Sequence, residues 1–248
     1  LKEIYIPLNV QTIGNFAFQY CTNLVSVSMP NTLQTIGTYS FQGCSKLIGV
    51  TIPNSVKEIE EYAFGHCEKL QSVMLSNKIE IISESIFEGC TGLTSITIPN
   101  GVKEIWWDAF AGCTKLNSIT LPSTLEVIKS DAFDDCKALY DIYCYAKMPP
   151  AISESSFVNY NAYVHVPCDS KRYYQADMVW SLFPNIQCIE SDEVKTDGVV
   201  VTPSTNDVTI IWPTSDSADT YTIIIKQGND VFCTLTFNQD GQLLNIAF

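Results

Sequence analysis

The residues best suited to chemistry in this chain are its ten cysteines and two histidines. A thiolate or an imidazole can act as a nucleophile or bind a metal ion, but such sites need several groups that converge. His66 and His165 have no partner at metal-ligand spacing, and no Ser-His-Asp or Cys-His arrangement is indicated. Six cysteines recur every 23 residues, which places them along a line and not around a point: Cys21, Cys44, Cys67, Cys90, Cys113 and Cys136.

Carboxylates are the other candidates, since paired acids occur at Glu60-Glu61, Asp134-Asp135 and Asp192-Glu193. Glycoside hydrolysis needs two carboxylates held at a fixed separation across a cleft, and the outer side of a repeat structure provides no cleft. We interpret these acids as solvated surface charge, with a calcium ion between acidic loops as the alternative. No phosphate loop, nucleotide fingerprint or EF-hand is present. The sequence therefore predicts no enzyme, no cofactor and no metal site.

The six cysteines belong to the motif Phe-x-x-Cys-x-x-Leu, which occurs six times between Phe18 and Leu139. A fixed period of this length is typical of a solenoid, in which each repeat is one coil stacked on the last. In the repeat LIGVTIPNSVKEIEEYAFGHCEK, the alternation that ends at Pro53 predicts a short strand with one buried face. The apolar residues that follow, at offsets of three and four, predict a short helical turn.

Stacking this motif predicts the interior of the solenoid. The phenylalanines are expected to fill the space between sheet and helical side, and Ile86, at a position otherwise held by Ala or Ser, predicts a repacked fourth coil. Neighbouring cysteines have parallel Cβ vectors, which favours a buried column of thiols over disulfides or metal binding within it. Outside the column, a Cys168–Cys188 bridge stays open.

The full pattern L-x-x-[IV]-x-[IL]-P-x-x-[VL]-x-x-I-x-x-x-[AS]-F-x-x-C-x-x-L resembles the BspA-like subclass of bacterial leucine-rich repeats, over residues 1 to about 143. The resemblance implies a leucine-rich repeat solenoid, an α/β repeat with a parallel β-sheet and short helical turns. It also implies a secreted or cell-surface bacterial protein that contacts host proteins, matrix or other cells. The family carries no catalytic residues.

The rest of the chain has a different composition. In residues 144–190, similar to the closing segment often attached to such repeats, Tyr173, Tyr174, Trp180 and Phe183 are expected to cover the last coil. The predicted organisation is a solenoid (1–143), this closing segment (144–190), a polar linker (191–198) and an all-β module (199–248).

The last module reads as a small all-β sandwich. Its strand-like runs are separated by turn signals, and the segment around Trp212 and Tyr221 resembles the start of a fibronectin type III or immunoglobulin-like domain. Five runs are fewer than the seven strands of such a sandwich, so the module is either a shortened variant or truncated. At the other end, the chain opens at Leu1 inside a repeat, which indicates a mature fragment or a shortened chain.

Charge and hydropathy limit the partners. The net charge is −13 with a pI near 4.4 and no basic stripe. Nucleic acid and anionic membranes are therefore disfavoured as partners. No apolar run is long enough to span a bilayer.

Two surface features could bind a protein partner. Adjacent Trp106 and Trp107 stand where other repeats have small or polar residues, and they predict an exposed aromatic anchor unless one ring folds against Phe110 or a neighbouring coil. The outward face of the strands, concave in leucine-rich repeats generally, carries a second candidate. Its column of side chains is Tyr5, Ser28, Thr51, Met74, Thr97, Thr120 and Tyr143.

The Ser and Thr residues of that column also suit a face that merely keeps the sheet soluble. The sequence thus favours a non-enzymatic, exported recognition or adhesion protein with a protein partner. The alternatives are a structural stalk within a larger surface protein, and a glycan-binding surface protein that uses the tryptophans.

Overall fold

The computed structural model describes residues 2–189, together with the backbone of five strands between residues 200 and 247. The chain divides into two compact units, Leu1–Glu190 and Ser191–Phe248. The first unit is a solenoid of parallel strands. Its strands are β1 (Glu3–Tyr5), β2 (Thr12–Ile13), β3 (Ser26–Ser28), β4 (Thr35–Ile36), β5 (Gly49–Thr51), β6 (Glu58–Ile59), β7 (Ser72–Met74), β8 (Ile81–Ile82), β9 (Ser95–Thr97), β10 (Glu104–Ile105), β11 (Ser118–Leu121), β12 (Val127–Ile128), β13 (Asp141–Cys144), β14 (Tyr163–Val166) and β15 (Asn185–Cys188).

Each repeat contributes one longer strand and one two-residue strand. Strands of each kind pair in parallel with equivalents in neighbouring coils, as β1 with β3, β9 with β11, β2 with β4 and β10 with β12. The longer strand confirms the alternation read from the sequence: Val50 and Ile52 are buried, whereas Thr51 between them is exposed. The two-residue strand was not predicted. Its buried isoleucine, such as Ile59, supplies a second wall of the core.

The predicted helical turn is wrong. The segment from each two-residue strand to its cysteine consists of turns, with no helix in the described repeats. Alternate amides donate within the coil and to the next coil: Gln42 N donates to Tyr39 O (3.2 Å), whereas Phe41 N donates to Ala63 O (2.8 Å). In each repeat, two positions four residues apart adopt a left-handed backbone, with φ of 54° at Tyr62 and 56° at His66.

The interior is filled as the motif predicted. Phe41, Phe64, Phe87, Phe110 and Phe133 are fully buried and stacked ring on ring, with centroid separations between 5.2 and 5.9 Å. The widest gap, 5.9 Å, lies between Phe64 and Phe87. Because Ile86 precedes Phe87 in a column of smaller residues, the extra volume of its side chain accounts for the local repacking.

The closing segment continues the solenoid through two further coils. Strands β14 and β15 extend the sheet with a register of 22 residues (Asp141↔Tyr163↔Asn185), and Phe157 stacks on Phe133 at 4.8 Å. Between these strands lie a 3-10 helix (Cys168–Ser170), α1 (Lys171–Ala176) and a second 3-10 helix (Trp180–Leu182).

Three of the four aromatics expected to cover the last coil do so. Tyr174, Trp180 and Phe183 are buried, and the Trp180 indole N–H donates to the Pro150 carbonyl at 2.8 Å. Tyr173 is the exception, since its ring is exposed with the Arg172 guanidinium 4.7 Å from its centroid. Buried donors on the cap thus satisfy carbonyls of the coil beneath.

In the second unit the strands are β16 (Val200–Pro203), β17 (Val208–Ile211), β18 (Thr220–Gln227), β19 (Asp230–Asn238) and β20 (Leu243–Ala247). β16 pairs with β17 and β19 lies between β18 and β20, all antiparallel. The predicted linker (191–198) and Trp212 lie outside the described residues. The sandwich and its immunoglobulin-like character stay predictions.

Candidate functional site

The outward face of the longer strands, which we call the sheet face, is a regular surface of the solenoid. Parallel pairing in fixed register places equivalent residues of successive coils side by side, about 4.8 Å apart. The predicted column is on this face. Tyr5, Ser28, Thr51 and Thr97 are exposed, whereas Met74, Thr120 and Tyr143 are half-buried.

Register extends this column into the closing segment, where Tyr143 is followed by His165 and then Gln187. The neighbouring column, which contains Ser95 and Ser118, continues in the same way through Asp141, Tyr163 and Asn185. Aromatic, acidic and amide groups thus replace the hydroxyls of the earlier coils at this end. Of these residues, Tyr143 belongs to the column predicted from the sequence.

The four side chains at the end of the repeats form a compact group, the terminal cluster: Asp141, Tyr143, Tyr163 and His165. His165 Nε2 lies 3.0 Å from Asp141 Oδ1, and its ring stacks on Tyr143 with a centroid distance of 4.3 Å and an interplanar angle of 11°. Tyr163, opposite Asp141 in register, is 43% exposed. Tyrosine and histidine held in fixed positions beside a carboxylate offer stacking and hydrogen bonding to a partner.

The sequence could not place this group because β14 and β15 lack the Phe-x-x-Cys-x-x-Leu motif and follow a 22-residue register. The alternation in YVHV did indicate a strand with His165 facing away from Val164 and Val166, and that strand is confirmed as β14. The sequence did not show which strands pair with β14 in the sheet.

The tryptophan pair lies away from the sheet face, where the two-residue strand β10 passes into the turns. Trp107 is 43% exposed, and the Lys129 ammonium is 5.6 Å from its ring centroid. Trp106 is half-buried, and its indole N–H donates to Glu104 Oε2 at 3.0 Å. The rings contact one another at 6.0 Å and 58°, while Phe110 stacks on other phenylalanines. Trp107 is therefore accessible to solvent, and Trp106 packs against it.

Acidic side chains gather on the turn side of the later coils. Burial, followed by repulsion from Glu61 and Asp108, raises the pKa of Glu84. Burial, followed by repulsion from Asp131 and Glu88, raises the pKa of Asp108. Among residues 2–189 no group of three or more His, Cys, Asp or Glu side chains has a metal-binding arrangement.

Five of the six cysteines in the column are buried as predicted, whereas Cys21 in the first coil is half-buried. Each of the five buried thiols donates to the carbonyl of the phenylalanine 26 residues earlier, as from Cys90 Sγ to Phe64 O at 3.2 Å. Burial raises the pKa of Cys90 well above the usual value, so the group stays a neutral thiol. Within the described range, Cys168 and Cys188 are not joined by a disulfide; Cys168 Sγ lies 3.6 Å from the Ile189 carbonyl.

No described helix combines the length and apolar character needed to cross a bilayer.

Comparison with known proteins agrees with this geometry. No curated protein matches the chain in sequence. A leucine-rich repeat protein of T. pallidum is similar in structure, with 30% identity and a TM-score of 0.55 over 56% of this chain and 68% of that one. A leucine-rich repeat protein of Eubacterium ventriosum shows 29% identity and a TM-score of 0.58 over 63% of this chain, which spans 42% of its length.

The family model for the BspA type leucine rich repeat region matches residues 1–105 and 80–189, so the match runs through the repeats and the closing segment. Because it covers more than half of the sequence, the chain belongs to the BspA-type leucine-rich repeat family.

Proposed function

We propose that this chain is a non-enzymatic recognition or adhesion protein at the surface of a bacterium, which binds a protein partner on its sheet face. The observation that supports it most is the composition of that face. Two columns of outward side chains run in register across β9 to β15 and end in the terminal cluster. Aromatic residues at such positions dominate interface energetics in protein complexes.

The family supports the same proposal, because BspA-type repeats provide a scaffold and no catalytic family is indicated. The bacterial surface as location, the host, matrix or cell-surface nature of the partner, and the exclusion of nucleic acid are parts of this proposal. The strongly acidic composition supports the last of these. The second unit would serve as an immunoglobulin-like spacer or as a second contact.

The test is a binding screen of the 248-residue protein against extracellular matrix proteins and a glycan array. The decisive variant is Thr97→Arg, which puts a long cation on the exposed middle of the sheet face. Thr114→Arg is its matched control, because Thr114 is also exposed but lies in the turn after Cys113, outside the strands of the sheet face. A protein ligand lost in Thr97→Arg and retained in Thr114→Arg would support the proposal.

Two outcomes would favour the alternatives. A glycan ligand lost after Trp106→Ser/Trp107→Ser would favour the glycan-binding function, for which the exposed Trp107 ring is the specific observation. An absence of any ligand would favour a structural stalk within a larger surface protein.

A further inference from the structure

The terminal cluster differs from the rest of the sheet face in having a carboxylate fixed between aromatic rings. Elsewhere the same two columns carry mainly Ser, Thr and Gly, as at Ser95, Thr97 and Ser118. At the cluster, Asp141 lies beside Tyr163 in one column, and Tyr143 lies beside His165 in the other. Four side chains with strong interaction chemistry therefore meet where the repeats pass into the closing segment.

Asp141 is oriented before any partner arrives. Its Oδ1 accepts a hydrogen bond from His165 Nε2 at 3.0 Å, and the imidazole is held in turn by its stack on Tyr143. The His165 side chain is 18% exposed, whereas that of Asp141 is 44% exposed. The carboxylate thus stays accessible to solvent although one of its oxygens is already hydrogen-bonded. A partner can therefore bond to a carboxylate that is already positioned, which lowers the entropic cost of binding.

The charge of the sheet face favours a partner side chain of positive charge. Its two columns contain the carboxylates of Glu3 and Asp141 and no lysine or arginine, in a chain of net charge −13. The cluster itself contains the Asp141 carboxylate and no lysine or arginine. A cationic side chain is attracted here, and an acidic one is repelled.

The aromatic rings of the terminal cluster favour a bound group of a particular shape. Tyr143 and His165 turn one face of each ring towards the other, whereas Tyr163 is 43% exposed. A guanidinium is planar, donates two parallel N–H groups to one carboxylate and stacks on an aromatic ring, whereas an ammonium is a compact point charge. On the basis of the proposed function, we infer that the terminal cluster receives an arginine side chain of the protein partner.

The test uses the whole chain and a small probe, so it does not depend on finding the partner. The probe is N-acetyl-arginine methylamide, compared with its neutral isostere N-acetyl-citrulline methylamide, with the lysine analogue and with methyl glucoside. Binding is followed by NMR through the imidazole C–H signals, which are simple because His66 is the only other histidine. The signals are assigned with His165→Gln. We expect a saturable shift of the His165 signal with an affinity on the order of 10 mM for the arginine probe.

Two pairs of variants give the controls. Asp141→Asn should weaken the arginine probe about tenfold, whereas Asp134→Asn, an exposed carboxylate on the turn side, should have no effect. Tyr163→Ser should weaken it several-fold, and Tyr163→Phe should retain it because the ring is kept. An equal response to citrulline, or an unchanged affinity in Asp141→Asn, would overturn the inference. So would a stronger response to methyl glucoside or to lysine.

The outcomes separate this inference from the proposed function. A specific arginine response together with a blank protein screen would uphold the site and refute the recognition function tested by that screen. A protein ligand lost in Thr97→Arg but unaffected by Asp141→Asn would uphold the function and refute the arginine site.

Discussion

The buried thiol column predicts that the solenoid unfolds in mildly alkaline solution. Five thiols of the column lie fully inside the core: Cys44, Cys67, Cys90, Cys113 and Cys136. Burial raises the pKa of Cys44 and Cys136 to about 12, and it raises the pKa of the three between them well above the usual 9.0. The folded protein therefore keeps these protons at a pH where the unfolded chain releases them.

The direction and the magnitude of the pH effect on stability follow from this difference between the thiol pKa values of the folded and the unfolded chain. A thiol whose pKa is raised by folding contributes stability that is fully present below pH 9 and is lost as the pH rises through the folded value. At pH 10 an unfolded thiol with a pKa of 9.0 is about 90% ionised. Each buried thiol then costs about 1.4 kcal/mol, and five cost about 7 kcal/mol. Since domains are typically stable by about 5–15 kcal/mol, the free energy of unfolding should fall close to zero.

The assay is urea unfolding followed by circular dichroism at pH 7.5, 9 and 10, under argon with a phosphine reductant. Tyrosines and lysines also titrate in this range, so the informative quantity is a difference between proteins. Cys67→Ala/Cys90→Ala removes two of these five thiols. The part of the pH dependence of the unfolding free energy that comes from the five thiols should therefore fall by two fifths, whatever the substitutions cost at pH 7.5. Parallel slopes for variant and parent would refute the reasoning.

Three further predictions concern the same coils. Phe64→Ala, which removes a ring between stacked neighbours at 5.3 and 5.9 Å, should cost about 3–5 kcal/mol in urea unfolding, and a melt like the parent's would contradict the core assignment. Asp108→Asn should raise the melting temperature at pH 7 more than at pH 4, because the raised carboxyl pKa means that the fold disfavours the charged form; equal shifts would contradict this. Gly89→Ala and Gly112→Ala, with φ of 69° and 72°, should each cost about 1–2 kcal/mol, but only Gly89→Ala should shift the NMR signals of His66, whose ring occupies the space of the new Cβ. A neutral Gly112→Ala would contradict the strain argument.

The repeat unit could be predicted from the sequence because each coil has the same neighbours. A phenylalanine that must stack on two others, or a cysteine that must donate to a carbonyl of the previous coil, meets the same demand in every repeat. The same residue type therefore recurs at the same position, and the periodicity reports burial directly. For that reason the positions of Phe64, Cys67 and Leu70 in the core needed no structure.

The conformation of the turn side could not be predicted in this way. Apolar residues at offsets of three and four fit a helical turn, but they fit equally well a series of consecutive turns in which some residues have a positive φ. The distinction depends on where the amides donate, and half of them donate to the next coil. Glycine at Gly43, Gly89 and Gly112 was a signal for positive φ, yet Tyr62 and His66 adopt the same conformation without being glycine. Tertiary hydrogen bonds override the local preference at these positions.

The residues of the candidate site do not recur from coil to coil as the core residues do, and this explains why periodicity did not reveal the terminal cluster as a whole. A residue on the sheet face contacts solvent or a partner, so nothing requires it to match its equivalent in the next coil. Register nevertheless brings such residues together, since Asp141 and Tyr163 are 22 positions apart in sequence and opposite one another in the sheet. A solenoid can therefore assemble a compact contact from one or two unusual residues in each of two coils while its core stays unchanged. On this argument, binding in this chain should depend on the coils that depart from the consensus, and the terminal cluster is the largest departure on the sheet face between β9 and β15.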